Sequence, residues 1–331
     1  MKSIERRRLL AAIGATPFLA PLASFAQGAG TARIGFLYFG TRRSAVDSLR
    51  YQAFIDSLRA LGHIEGKNIV IEARFADGKI ENIKALAAEL VKLKADVIVA
   101  TGSQTYRPLQ QATSTIPIVI TVDSDPVANG YAVSMARPGG NITGFSNSGA
   151  DIVAKYLELL KTVTPTLARV GVMLNPGNGA HPQQLVRIMT AAQKTGVRVI
   201  LASAATEHDL VQEFSMLARE HADAVVFLND TFFVQQLRQL AALSLKHKLS
   251  SIYSIAEYAE SGGLMSYGPD IVDNFRRAAV YVDKILKGAK AGELPFEQPT
   301  RYYLIVNRKT ARALNLTIPQ DLLVRADKVL E

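Results

Sequence analysis

Short apolar runs alternate along the chain with stretches of helical periodicity. The run 32–39, Ala-Arg-Ile-Gly-Phe-Leu-Tyr-Phe, closes on Gly40. A run of that length bounded by a turn residue predicts a buried strand. Phe54, Leu58 and Leu61 then recur on one helix face and stop at Gly62, a helix-ending signal. The alternation continues with strand 68–75, helix 80–93, strand 95–100, helix 104–113 and strand 117–122. Apolar strands separated by helices predict a parallel sheet covered on both faces.

The pattern then loosens. Asp125-Pro126-Val127, Arg137-Pro138-Gly139-Gly140 and Asn141-Ile142-Thr143-Gly144 are rich in turn residues and predict a passage between two lobes. Alternation resumes with helix 152–163, strand 169–175, helix 182–195, strand 197–202, helix 207–220, strand 224–228, helix 232–247, strand 250–253 and helix 256–260. The stretch 261–270, Ser-Gly-Gly-Leu-Met-Ser-Tyr-Gly-Pro-Asp, supplies a further strand that displays Tyr267 at its carboxyl end. Gly268 offers backbone freedom and room for a ligand, and Pro269 suits the first turn of a helix. From Ile271 the residues Phe275, Ala278, Ala279, Val282, Ile285 and Leu286 form one helix face. A polar connection 287–299, a strand 302–306 and helices 307–314 and 319–329 complete the chain. The expected fold class is α/β. Two Rossmann-like lobes with parallel central sheets are joined by several chain crossings. Lobe 1 spans 32–145 plus 268–291, and lobe 2 spans 146–267 plus 295–331. In such sheets ligands bind at the carboxyl ends of the strands, so the cleft is expected where those ends face each other.

Composition narrows the chemistry. The length of 331 residues fits about two domains, and 48% hydrophobic residues suffice for two cores. No cysteine is present, which excludes disulfides, thiolate metal sites and cysteine nucleophiles. The net charge is +9, and Lys2, Arg6, Arg7 and Arg8 against Glu5 place three of those charges in the first 26 residues. No basic cluster is interleaved with aromatics, so the charge reads as solvated surface and no nucleic-acid partner is expected. Residues 1–26 follow the layout of a signal peptide: a basic start, an apolar run from Leu9 to Leu22, and Ser24-Phe25-Ala26 before cleavage. The Arg6-Arg7-Arg8-Leu9-Leu10 run resembles a twin-arginine signal. Export to the periplasm is expected.

Catalytic signatures are missing. There is no HExxH, no GxSxG, no Walker loop and no strand-linked GxGxxG, and the five histidines are scattered. No metal, cofactor or catalytic residue is expected. Small neutral polar groups recur instead at strand ends. Gly102-Ser103 opens a helix, where free N–H groups suit a carboxylate. Asn175, Asn178, Asn229 and Asp230 hold the equivalent places in the second half, and Asp125 could meet an ammonium group. Phe39 with Gly40, Tyr253 and Tyr267 offer walls for an aromatic ligand. Each alone reads as a cap or core residue. Their shared position makes them candidate ligand-binding residues.

The chain also resembles a known family. The resemblance is carried by Leu264-Met265-Ser266-Tyr267-Gly268-Pro269-Asp270, Arg276-Arg277-Ala278-Ala279 and Tyr281-Val282-Asp283-Lys284-Ile285-Leu286-Lys287-Gly288. Leu294-Pro295, Glu297-Gln298-Pro299-Thr300 and Leu316-Thr317-Ile318-Pro319 add to it, as do Ile116-Pro117-Ile118-Val119 and Arg137-Pro138-Gly139-Gly140. These motifs resemble the ABC importer substrate-binding proteins that include tryptophan and other aromatic amino-acid binders. The resemblance implies a type I periplasmic-binding fold with three hinge strands. It also implies a small-molecule solute held between the lobes, an ABC permease and ATPase as partners, and a monomer. The alternatives are a ligand-presenting partner of a membrane sensor, an enzyme on the same scaffold, and a LacI-like regulator, which would carry a DNA-binding unit in place of the signal.

Overall fold

A computed structural model describes residues 30–43, 49–147 and 150–331. The expected signal segment 1–26 lies outside the described residues.

Five parallel strands form the first sheet: β1 (Ala32–Tyr38), β2 (Ile69–Phe75), β3 (Val97–Thr101), β4 (Ile118–Asp123) and β5 (Ile142–Ser146), in the order β2-β1-β3-β4-β5. Side chains alternate between its faces. Ile34, Phe36, Val97 and Val99 point to one face. There they meet Phe54 and Leu58 of α1 (Leu49–Ala60) and Phe275, Ala278 and Val282 of a helix that arrives much later. Ile98, Ala100, Ile118 and Ile120 point to the other. Ile83, Ala87 and Leu90 of α2 (Ile80–Lys92) and Tyr106 and Leu109 of α3 (Ser103–Ala112) cover that face. The fifth strand corrects the turn expected at Asn141–Gly144. Its polar groups are satisfied inside the fold: Thr143 Oγ1 donates to Leu294 C=O at 2.7 Å, and Asn141 Nδ2 donates to Ile116 C=O at 2.8 Å.

The second sheet is larger. It adds β6 (Arg169–Leu174), β7 (Arg198–Ser203), β8 (Ala224–Phe227), β9 (Ser250–Tyr253), β10 (Met265–Gly268), β11 (Tyr303–Asn307) and β12 (Lys328–Leu330), in the order β12-β11-β10-β9-β8-β6-β7. Its strands pair in parallel except for the antiparallel pair β10–β11, so both lobes carry the parallel-dominated central sheets expected, the second with one antiparallel pairing near its edge. One face packs on α4 (Ala150–Val163), α5 (His181–Thr195), α11 (Arg308–Ala313) and α12 (Gln320–Arg325). The other packs on α6 (Glu207–Arg219), α7 (Thr231–Gln235), α8 (Leu237–Lys246) and α9 (Ala256–Glu260).

Two helix expectations also change. The helix expected over 232–247 is interrupted at Gln236, whose backbone sits at φ −107° and ψ 18°. Phe233 before the break and Leu240 after it fill the same core, so the apolar periodicity gives no sign of it. The helix expected over 319–329 stops at Arg325, and its end becomes edge strand β12 alongside β11.

The chain passes from one sheet to the other after β5, after β10 and again between Glu297 and β11. After β10, Asp270 caps α10 (Ile271–Leu286), accepting the Asp273 N–H at 3.1 Å, and α10 packs back on the first sheet. Glu297 then brackets β5: its N–H donates to Gly144 C=O at 3.0 Å, and its C=O accepts the Ser146 N–H at 2.8 Å.

Gly268 stands at the second crossing for a reason other than the one expected. Its φ is not positive. A Cβ there would lie 1.7 Å from the Ser254 carbonyl oxygen, so the residue is small because backbone lies against it. Gly268→Ala is expected to cost about 1–3 kcal/mol, the usual range for forced overpacking. Gly179→Ala, whose new Cβ would have no atom within 4 Å, is the control and should be near neutral. Urea denaturation of both checks this, and equal midpoints would show that the crossing yields freely.

Candidate functional site

Strand ends of both sheets converge on a cavity of about 110 Å³. On the first-sheet side, Thr101, Gly102 and Ser103 line it at the β3–α3 turn, with Tyr106 one turn along α3. Val122, Asp123 and Ser124 follow at the end of β4, Asn147 lies just past β5, and α10 contributes Ile271 and Phe275. The second-sheet side contributes Asn229, Asp230 and Thr231 past β8, Ala180 and Gln184 around α5, and Val234 and Ile255. Arg50 of α1 completes the lining. Among the described residues, no group of three His, Cys, Asp or Glu side chains could hold a metal ion.

Asp230 organises the second-sheet wall. It is buried, and a buried carboxylate requires donors. Its Oδ1 accepts from Asn175 Nδ2 at 3.0 Å and from the Phe232 N–H at 2.8 Å. Its Oδ2 accepts from Asn178 Nδ2 and from Gln104 Nε2, each at 2.8 Å. Gln104 belongs to α3, so the last of these bonds joins the two walls. Ser103 Oγ makes a second joint by donating to Asn178 Oδ1 at 3.0 Å. Farther out, Arg187 pairs with Asp125 at 2.8 Å and Arg50 with Glu257 at 2.9 Å, again across the walls. Gly102 permits this approach. It sits at φ 95°, and a Cβ there would meet Phe39 Cβ at 2.8 Å and Thr231 Oγ1 at 3.0 Å.

His181 supports the same wall from behind. Its Nδ1 accepts the Asn175 N–H at 2.9 Å, so Nε2 carries the proton and donates to Asn229 C=O at 3.0 Å. The ring is therefore neutral, and burial lowers its pKa from the ordinary histidine value. Asp123 shows the opposite tendency. Burial pushes its carboxyl up to about 6, against hydrogen bonds from the Asp125 N–H and Asn129 Nδ2 that favour the ionised form.

Of the candidates read from sequence, Gly102, Ser103, Asn229 and Asp230 line the cavity. Asn175 and Asn178 stand behind them as partners of Asp230. Tyr253 is fully buried in the second core and reaches the site only through its hydroxyl, which lies 3.3 Å from the Asp230 N–H. Phe39 is core, Gly40 is buried beside it, and neither lines the cavity. Asp125 is occupied by Arg187 outside the cavity. Tyr267 is a correction: it stacks on Tyr302 with ring centroids 5.7 Å apart and packs on the α4 face of the second sheet, away from the cavity lining. The sequence reading misses Asp123, Ser124, Asn147, Tyr106, Phe275 and Arg50. Asp123 and Ser124 occupy the same strand-end position as the other candidates, so position along the strand is a signal that points to them too.

Comparison with known proteins gives consistent relatives. A family model described as ABC transporter substrate binding protein matches residues 44–330. A tyrosine-binding protein of Clostridioides difficile (strain R20291) is 27% identical over 265 residues, covering 80% of this chain and 76% of its own. A conserved domain protein of Vibrio cholerae superposes with a TM-score of 0.84 at 29% identity, over 90% of this chain and 99% of that one. A Streptococcus pneumoniae ABC domain in complex with L-Trp gives 0.83 at 23% identity, over 91% and 100%. A ligand-free, open substrate-binding protein with adhesive properties from Clostridium difficile gives 0.65 at 25% identity, over 90% and 99%.

His181 makes this wall sensitive to pH. Its folded-state pKa lies below its unfolded one, so the unfolded chain binds a proton that the folded chain refuses. Stability is then fully present above about pH 6.5 and falls as pH drops below it. Asp123 acts in the other direction. Its folded pKa of about 6 exceeds the unfolded value of 3.8, so protonation between those values favours the folded state. Urea denaturation of wild type and His181→Gln between about pH 8 and about pH 5 isolates the histidine. The wild-type advantage is expected to shrink as pH falls. A constant advantage would remove His181 protonation from the account.

Proposed function

The chain belongs to the family of ABC transporter substrate-binding proteins, and from that premise we propose that it is the solute receptor of an ABC importer. The fold is that of type I periplasmic binding proteins. On this reading the lobes are 32–145 with 268–291 and 146–267 with 295–331. They close outside the cytoplasm around a small solute, an amino acid or an aromatic carboxylate, and a permease and its ATPase receive the closed monomer. Binding proceeds without turnover.

The observation that carries the reading is the cavity between two walls that hydrogen-bond to each other through Ser103–Asn178 and Gln104–Asp230. Only the closed arrangement contacts a solute from both sides, so a solute favours it by its differential affinity. The greater likeness to the L-Trp complex than to the open, ligand-free relative supports a closed arrangement. Tyr106 and Phe275 supply flat apolar surfaces. The N-terminus of α3, with Ser103 at its first position, supplies N–H groups suited to a carboxylate. A cavity of about 110 Å³ is smaller than the ~300 Å³ at the low end for drug-sized ligands, so it suits a compact solute. Tyrosine and tryptophan, bound by the two relatives above, are the first solutes to test.

A thermal-shift screen of the mature protein against amino acids, aromatic acids and sugars is expected to show stabilisation by at least one of the first two classes. Silence across all three would overturn the receptor reading. Gln104→Ala removes one cross-wall bond without altering a cavity-lining side chain. It should weaken the solute found by about tenfold, as loss of a bond to a charged group implies. Unchanged affinity in calorimetry would show that this bond plays no part in closure.

A further inference from the structure

The cavity holds two polar atoms without partners. Ser124 Oγ and Asn147 Oδ1 are buried and make no hydrogen bond. Both residues line the cavity, and Asn147 is only 9% exposed. A buried acceptor left unmatched is costly, and native folds rarely tolerate one without a partner that arrives later. The two atoms belong to one small region. Ser124 follows Asp123 directly at the end of β4. The Asn147 N–H, at the end of neighbouring β5, donates to the Asp123 C=O at 2.7 Å. Backbone pairing therefore sets Asn147 beside Asp123 and Ser124 on the same wall.

The chemistry of the three groups is complementary to one kind of partner. Ionised Asp123 accepts only, the unmatched amide oxygen of Asn147 accepts only, and the Ser124 hydroxyl can accept. An ammonium group brings three donors and a positive charge, and has no acceptor to leave unmatched. A carboxylate at this position would face Asp123 and offer the Asn147 oxygen nothing. Asp230, the other acid in the lining, already accepts four hydrogen bonds and has no comparable unmet demand. Arg50 is committed to Glu257.

We infer that Asp123, Ser124 and Asn147 form a subsite for a protonated amine, and that the solute must carry one. This rests on the receptor reading above and narrows it. Amino acids and other amines are accepted, whereas aromatic carboxylates without an amine are excluded. The raised pKa of Asp123 fits a buried carboxylate whose counter-charge comes with the solute.

Calorimetry with matched pairs tests the subsite: L-tyrosine against 3-(4-hydroxyphenyl)propionate, L-phenylalanine against 3-phenylpropionate, and L-leucine against 4-methylpentanoate. Removing the amine is expected to weaken binding by about a hundredfold or more in any pair that binds. Asp123→Asn and Asn147→Leu should each weaken the amine-bearing member by at least about tenfold, and neither should weaken the amine-free member by that factor. Asn147→Leu removes an unmatched polar atom, so the solute-free protein should melt no lower than wild type. A lower melting temperature would assign Asn147 a structural role and overturn its place in the subsite. Binding of an amine-free acid within about threefold of its amine partner would overturn the inference while leaving the receptor reading intact. Binding of an amine-free solute alone, such as a sugar, would do the same. Silence of every pair and of the whole screen would overturn both.

Discussion

A carboxylate buried at the meeting of two sheets has to be surrounded by donors, and much of this site follows from how Asp230 meets that demand. Three donors come from its own wall and one from the opposite wall. Asn175 and Asn178 are held in turn by turns of the same loop, the Gly177 N–H donating to Asn175 Oδ1 and the Ala180 N–H to Asn178 Oδ1. His181 completes the support by accepting the Asn175 N–H. Removing a donor from such a network leaves a buried charge short of partners, which explains why so many neutral amides gather here.

The bonds that cross the cavity are few. Two involve side chains at the cavity wall, one of them to a charge, at about 1.5–3 kcal/mol for the charged kind. The two outer ion pairs are partly exposed and contribute at most about 1 kcal/mol each. The sum is of the order of the ~5.5 kcal/mol that separates a mostly open from a mostly closed population. On the proposed receptor reading, a closed arrangement balanced so finely would respond to a ligand, whereas one held by a large apolar interface would not.

The alternation of strands and helices is legible throughout the sequence, because buried strands and amphipathic helices have distinct periods. Position along the strands is legible too, and it leads to Gly102, Ser103, Asn229 and Asp230. Side-chain direction is not. Tyr253 and Tyr267 lie within strands, so the pleat directs them to the sheet faces and into the cores. Residues at and just past a strand end are the ones free to turn toward the cavity. Asn147 is hidden because β5 begins Ile-Thr-Gly after an Asn and reads as a turn; its polar groups are satisfied only by segments distant in sequence. Asp123 yields to Asp125 in the sequence because the apolar run stops at Val122, one residue before the strand does. The helix break at Gln236 leaves no local trace, since both halves serve one core.

The crossings between the sheets bear on how the molecule is made. One face of the first sheet is covered only in part, by Phe54 and Leu58 of α1, until Phe275, Ala278 and Val282 of α10 arrive about 130 residues after β5 is complete by the numbering of the two elements. A ribosome therefore releases the first sheet with part of an apolar face open, and strands β6–β10 of the second sheet must be synthesised before that face can close. Folding cannot proceed one half at a time in the order of synthesis, as it does for beads on a string. The nascent chain has to be kept from aggregating over that interval, a requirement that falls on chaperones wherever the chain folds.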